Sequence, residues 1–402
     1  MGEFGSVLNS FFFLIIFSLF LTIFCIKAEQ QPIEEKDDDD DDINIVQNRR
    51  FSRNKSCDLS TGKWVYDRSY PLYDSTCPYL STSVSCQRNG RPDSDYEKWR
   101  WKPFGCSIPR FHALDFLGRM RRKRIMLVGD SIVRNQWESL VCLIESVIPP
   151  DRKTVTYNGP TMAFHVSDFE TSIEFSWAPF LVEVELERTQ KKRILHLDSI
   201  EKNAKFWRGV DVLVFDSAHW WTHVGEWNSW EFYMEGKGLF TNLNPMVAYE
   251  MGLITWAKWI DLNLDPQRTR VIFRSVSPRH NRQNGWKCYN QRVPLKHYFS
   301  HHQPAAPHQI PDEQLLVLQR VLKRISFPVY LQDITRMSAL RLDGHPSVYA
   351  WANKNHHQQD HRIQHPKDHY YTSDCSHWCL PGVPDIWNEM LNAILELNIQ
   401  TK

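Results

Sequence analysis

From residue 111 onward, short apolar runs alternate with stretches whose apolar residues recur at helical spacing. Arg124–Val128 (RIMLV) reads as a strand. Ile132–Ile148 follows, with Val133, Trp137, Leu140, Val141, Ile144 and Ile148 in helical period, and stops before Pro149-Pro150. Further strands are predicted at Ile173–Trp177, Arg193–Leu197, Val212–Phe215, Val271–Phe273 and Val329–Leu331. Asn244 caps a helix with Pro245 at its first position, running to about Leu262. Pro311 opens another, to about Ile325, and a last helix runs from about Asp385 to Leu397. Strands alternating with helices predict an α/β domain, a parallel sheet flanked by helices. In such sheets, sites lie beyond the carboxyl ends of the strands.

The first 110 residues follow other rules. Residues 11–26 (FFFLIIFSLFLTIFCI) carry no charge, and with Val7 and Leu8 they approach the ~20 residues a membrane helix needs. A signal peptide cut at Ala28 and an uncleaved signal anchor both fit, although a basic flank is missing. Either way the remainder enters the lumen of the secretory pathway (Golgi or endoplasmic reticulum). It is then secreted or a single-pass type II protein, touching the membrane only through residues 1–28. A buried helix of a cytosolic core is the third reading. Residues 29–56 include Asp37–Asp42, a self-repelling run that reads as a flexible acidic stem rather than a calcium site. Residues 57–110 hold four cysteines, many aromatics and little helical period, which predicts a small disulfide-rich subdomain ahead of a catalytic domain at 111–402.

Eight of the nine cysteines lie beyond the apolar run, enough for four disulfides in an oxidising compartment. The absence of a CxxC pair argues against a zinc ribbon. Asn54-Lys55-Ser56 is a glycosylation sequon. Apolar residues at 42% and charged ones at 24% exclude global disorder. The net charge of +1 is a cancellation: residues 1–42 hold two Lys/Arg against ten Asp/Glu, and the rest hold 46 against 37, a balance of +9.

Two segments carry candidate chemistry. In VGDSIVRNQWES (Val128–Ser139) a strand runs into Gly129-Asp130-Ser131 and a helix follows at once. Ser131 then sits where unpaired N–H groups and the helix dipole favour a developing anion, as a nucleophile should. The alternative is that Asp130 or Ser131 only caps the helix. In DCSHWCLPGVPDIWNEML (Asp374–Leu391), Asp374 and His377 are three apart. A carboxylate so placed can orient an imidazole, and the imidazole can take a serine proton. Together they predict a triad of Ser131, His377 and Asp374, on a loop that disulfides at Cys375 and Cys379 would stiffen.

The GDS block paired with the carboxy-terminal D-x-x-H block resembles the plant trichome birefringence-like family, of the SGNH/GDSL-type esterase superfamily. The stretch Cys57–Arg110 resembles the family's amino-terminal domain, and DCSHWCLPGVPDIWNE its hallmark; the short chain and stem look most like the powdery-mildew-resistance branch. The resemblance implies an SGNH/GDSL-hydrolase-like fold and O-acetylation of cell-wall polysaccharide through an acetylated Ser131. It implies no bound cofactor, only an acetyl donor, acetyl-CoA or another carrier. It also implies an oxyanion hole of the serine N–H with a Gly and an Asn. Gly159 in YNGPT is the candidate Gly. Asp216 in VLVFDSAHWW stands where the family usually has Asn, and an ionised carboxylate there would oppose an oxyanion.

Arg134 and Asn135 could bind substrate or brace the loop. Trp220 and Trp221, with Trp227 and Trp230, could stack on sugar rings or pack the core. His219 and His223, and the series His357, His361, His365 and His369, have metal-ligand chemistry but no completing pattern, so no metal is expected. Arg119–Arg124 (RMRRKR) reads as a solvated face or a contact for an anionic polymer; in a luminal chain it does not imply nucleic acid. The basic balance favours pectin slightly over neutral xylan. A deacetylating esterase and a non-catalytic wall-polysaccharide-binding protein are the competing functions.

Overall fold

The structure is a computed structural model and describes residues 57–187, 192–223, 229–280, 288–295, 312–350 and 373–397. The apolar run, the stem, the sequon, Trp227 and the series His357 to His369 lie outside the described residues. No helix among the described residues is long and apolar enough to cross a membrane.

The fold is α/β. The strands are β1 (Gly62–Tyr66), β2 (Trp99–Pro103), β3 (Arg124–Gly129), β4 (Lys153–Asn158), β5 (Thr161–Val166), β6 (Thr171–Trp177) and β7 (Glu183–Glu187). They continue with β8 (Lys192–His196), β9 (Val212–Phe215), β10 (Phe232–Glu235), β11 (Gly238–Phe240), β12 (Arg270–Arg274) and β13 (Val329–Gln332). The main sheet has the order β13-β12-β9-β3-β6-β5-β4. Its first five strands are parallel, and β5 and β4 extend the edge as an antiparallel hairpin.

Alternation along each central strand builds two cores. Ile125 and Leu127 of β3, Val212 and Val214 of β9, and Ile272 of β12 face one side. There they pack with the helices Ser131–Glu145 and Val383–Glu396. Met126, Val128, Leu213, Phe215, Val271 and Phe273 face the other, against Pro245–Asn263 and Asp312–Leu322. Burying each such side chain is worth roughly 1.5–3 kcal/mol, so two-sided burial explains why these strands read as continuous apolar runs. The Asn244 cap forms as expected, its side chain accepting from the N–H groups of Met246 and Val247.

One expectation changes. The strand expected at Arg193–Leu197 exists as β8, but it belongs to a separate four-stranded sheet, β11-β10-β8-β7. Its strands β7 and β8 are largely exposed or half-buried, with Glu187 opposite Lys192, unlike the doubly covered central strands. The cysteine-rich stretch belongs to the same compact unit as the described residues that follow it. Cys57–Cys106 closes locally, but Cys77–Cys142 ties it to the helix after β3 and Cys86–Cys379 to the carboxy-terminal loop. Cys288–Cys375 is the fourth bridge.

Buried carboxyls line the seam between this stretch and the helix Val383–Glu396. Glu389, 3% exposed, accepts from the Tyr70 hydroxyl at 2.9 Å and the Phe111 N–H at 3.1 Å. Burial pushes its carboxyl up to about 7. An unfolded glutamate titrates near ~4.3, so the folded state holds the proton longer, and this stabilisation is lost as pH rises through about 7. Glu389→Gln stays neutral throughout. Relative to wild type it should gain on the order of 3 kcal/mol between pH 5 and pH 8, read from thermal melts at both pH values. An equal difference at the two would show that Glu389 is not the titrating group.

Candidate active site

The turn after β3 is shaped by steric necessity. A Cβ on Gly129, whose φ is +155°, would lie 2.3 Å from the carbonyl oxygen of Asp216, on the neighbouring strand end. Only glycine lets β3 and β9 approach there. The helix then starts at Ser131, and Asp130 supplies the cap: its Oδ1 accepts the Ile132 N–H at 2.8 Å. Because Asp130 does the capping, the Ser131 hydroxyl is left for other work.

That hydroxyl lies 2.8 Å from His377 Nε2, and His377 Nδ1 lies 2.7 Å from Asp374 Oδ2. The other Asp374 oxygen accepts the N–H groups of Ser376 (2.9 Å) and His377 (3.0 Å). An ionised carboxylate can only accept, so Nδ1 carries the ring proton and Nε2 presents a lone pair to Ser131. Burial disfavours charge on Asp374, but the hydrogen bonds from the His377 ring and backbone outweigh it and hold the carboxyl well below the usual range. Burial also pulls the His377 imidazole down; the Asp374 bond and charge overcome this and leave it raised. Such an arrangement can take a proton from the serine and return it to a leaving group.

Asn135, 2% exposed, is a brace. Its Oδ1 accepts the Trp378 N–H at 2.8 Å and its Nδ2 donates to the Trp378 carbonyl at 3.2 Å. One helix thus carries Ser131 and, one turn on, the clamp for the residue after His377. Arg134 is half exposed and paired with Glu138 at 3.1 Å, while Glu138 also accepts from Ser81. That pairing anchors the cysteine-rich stretch.

Three candidates have other partners or lie elsewhere on the sheet. Asp216 is buried, with its carboxyl 2.5 Å from the Arg274 guanidinium. Trp221 is 1% exposed and packs on Phe180 and Tyr249, with Nε1 donating to Ser217, so it is core. Gly159 sits in the β4–β5 turn, two strands from β3 and therefore ~10 Å across the sheet from Gly129. Trp220 stays partly buried, edge-on to Trp177 at 5.3 Å and beside His223. His219 Nε2 contacts the Ser277 carbonyl at 2.6 Å, and burial pushes both histidines down, His223 to about 4. The basic run lies at the start of β3, opposite Ser131, with Arg119, Arg122 and Arg124 paired to Glu396, Glu170 and Glu174.

Trp177, 36% exposed, ends β6 directly beside Gly129. Sequence reasoning missed it, although its place at a predicted strand's carboxyl end was signal enough. It also missed His280, His345 and Arg274, which no local spacing connects to the triad.

The chain is similar to known proteins along most of its length. Residues 108–394 match the GDSL/SGNH-like acyl-esterase family found in Pmr5 and Cas1p, and residues 55–107 match the PMR5 N-terminal domain. The chain is 61% identical over 356 residues to protein trichome birefringence-like 36 of Arabidopsis thaliana, covering 89% of this chain and 90% of that one. The chain belongs to the trichome birefringence-like family. Another of its Arabidopsis thaliana members, protein trichome birefringence-like 43, is 42% identical over 351 residues, covering 85% and 88%. Membership, with an SGNH-like acyl-esterase domain over residues 108–394, supports acyl-transfer or esterase activity.

If Asn135 seats the histidine loop of this trichome birefringence-like protein, Asn135→Ala leaves two buried backbone groups unpaired. Stability should fall by about 2–3 kcal/mol. The kcat for a small p-nitrophenyl ester should fall ~10-fold or more, with KM little changed. A folded variant with wild-type kcat would remove the brace from the account.

Proposed function

We propose that this protein O-acetylates hydroxyls of a plant cell-wall polysaccharide through an acetyl-Ser131 intermediate. The observation that carries the reading is the continuous chain of contacts from Ser131 Oγ through His377 to Asp374. His377 takes the hydroxyl proton as Oγ attacks the donor's acetyl carbonyl, then passes it to the donor's leaving group. The N–H of Ser131, at the first turn of its helix, can donate to the oxyanion as it develops. His377 next deprotonates a sugar hydroxyl, which attacks the acetyl-serine and restores it. Transfer to sugar rather than water requires an acceptor held close and water excluded; Trp177 and Trp220 offer aromatic surface beside the nucleophile for that purpose.

The four disulfides support a lumenal, oxidising location, secreted or anchored through residues 1–28. The +9 balance of residues 43–402 supports a polyanionic acceptor, pectin before xylan, although the paired basic run adds little near the site. The acetyl donor is acetyl-CoA or another carrier. A deacetylating esterase is the second reading, favoured by the acyl-esterase description of the matched family.

Lumenal protein incubated with an acetyl donor should add acetyl groups to oligogalacturonides, read by mass spectrometry, with xylo-oligosaccharides as the parallel arm. Ser131→Ala should lose at least ~10³-fold of that rate. Acetylated polymer without donor should release little acetate; rapid release would make the enzyme an esterase, and full activity of Ser131→Ala would end the catalytic reading. Oligogalacturonide binding should weaken steeply with salt. The base must be neutral, and the His377 imidazole is raised, so the rate should fall with acid from above the ordinary histidine value of ~6.5.

A further inference from the structure

The carbonyl of His377 is held by a second pair of histidines. His345 Nδ1 lies 2.6 Å from it. His345 Nε2 lies 2.6 Å from His280 Nδ1, and His280 Nε2 lies 3.1 Å from the Ala339 carbonyl. Both side chains are buried. His345 stacks on Trp378 with ring centroids 4.0 Å apart, and His280 meets the same ring edge-on. The His280 N–H also donates to the Cys375 carbonyl at 3.0 Å. Two residues 65 positions apart thus grip both ends of the loop that carries the catalytic imidazole.

Counting protons assigns the tautomers. A carbonyl only accepts, so His345 Nδ1 must carry hydrogen. A neutral His345 then accepts at Nε2, and His280 must donate from Nδ1. A neutral His280 has no hydrogen left for Nε2, and that is the longest of the three contacts. If His280 instead donated from Nε2 to Ala339, two lone pairs would meet at 2.6 Å unless one ring were an imidazolium. Burial favours the neutral pair, pushing His280 well below the ordinary range and His345 to about 4. The charged or titratable groups that act on His345 are Asp374, which favours a proton there, and His377 and Arg91, which oppose it; Arg91 Nη1 lies 3.1 Å from the His345 carbonyl.

We propose that His280 and His345 are positioning residues: His280 fixes the His345 tautomer, and His345 Nδ1–H holds the His377 carbonyl so that the His377 ring stays seated against Ser131. The role rests on the serine acyl-transfer reading; the tautomer does not. His377 makes the covalent chemistry possible, and neither of the other two histidines exchanges a proton with substrate.

The test uses the whole lumenal chain. His345→Phe keeps an aromatic ring on Trp378 but loses both nitrogens. It should slow labelling of Ser131 by a fluorophosphonate probe, and kcat for p-nitrophenyl acetate, by ~10–100-fold with KM little changed. His345→Asn keeps a donor in the Nδ1 position and should recover most of that loss. Nitrogen NMR of the wild type with labelled histidine should show His345 and His280 neutral and protonated at Nδ1 at pH 7. A His345 protonated at Nε2 overturns the proposal, whatever the activity. So does a His345→Phe protein that labels at the wild-type rate. A wild type that neither labels nor hydrolyses the ester sinks the acyl-transfer reading, and the role with it; a wild type that labels while His345→Asn gains nothing over His345→Phe sinks the histidine clamp alone.

Discussion

A serine hydroxyl is a poor nucleophile until an imidazole is held against it, and here the imidazole arrives from 246 residues away. The short loop Asp374–Cys379 has no regular structure of its own to fix it. It is held from outside at nearly every residue. Cys375 is bonded to Cys288 and Cys379 to Cys86. Asp374 exchanges backbone hydrogen bonds with Ser347, and Asn135 takes both backbone groups of Trp378. Positional errors of about 1 Å cost roughly 10²-fold in rate, which is the scale on which so many tethers make sense.

The same constraint explains why the cysteine-rich stretch is inseparable from the rest. Arg91 donates to the carbonyls of Asp343 (2.7 Å) and His345 (3.1 Å), and its guanidinium lies over Tyr96. Arg341, 1% exposed, pairs with Asp343 and reaches back to the Tyr96 carbonyl. Buried ion pairs are weak evidence for stability, since desolvation offsets much of their attraction. Their value here is geometric. Each accepts one register only, and together they align the stretch, the Leu342–Gly344 turn and the catalytic loop.

How much of this was legible depended on whether the signal was local. The central strands showed because burial on both faces writes them as apolar runs. β4 and β5 did not, because β4 (KTVTYN) is largely polar and exposed at an edge. The Ser131–His377–Asp374 contacts were legible because Gly129-Asp130-Ser131 and Asp374-x-x-His377 each compress a geometric need into a few residues. Trp221 and Trp220 are adjacent, yet one is core and the other borders the site; sequence carries the aromatic but not its direction. His280 and His345 left no trace at all, since their relation exists only after the sheet brings the β12 and β13 loops together.

Asp216 shows how a buried acid can do the work of an amide. Burial pushes its carboxyl up to about 7; Arg274 opposes this and nearby Asp130 adds to it. Asp130 spends Oδ1 on the helix cap and leaves Oδ2 buried with no other partner. A protonated Asp216 can donate to that oxygen while its second oxygen stays on Arg274. An asparagine would make the same donation through its amide. An acid can therefore serve here as an amide would, because two carboxyls and one guanidinium close their hydrogen bonds only when one of the acids holds a proton. That closure involves Asp130, the residue that caps the helix beginning at Ser131.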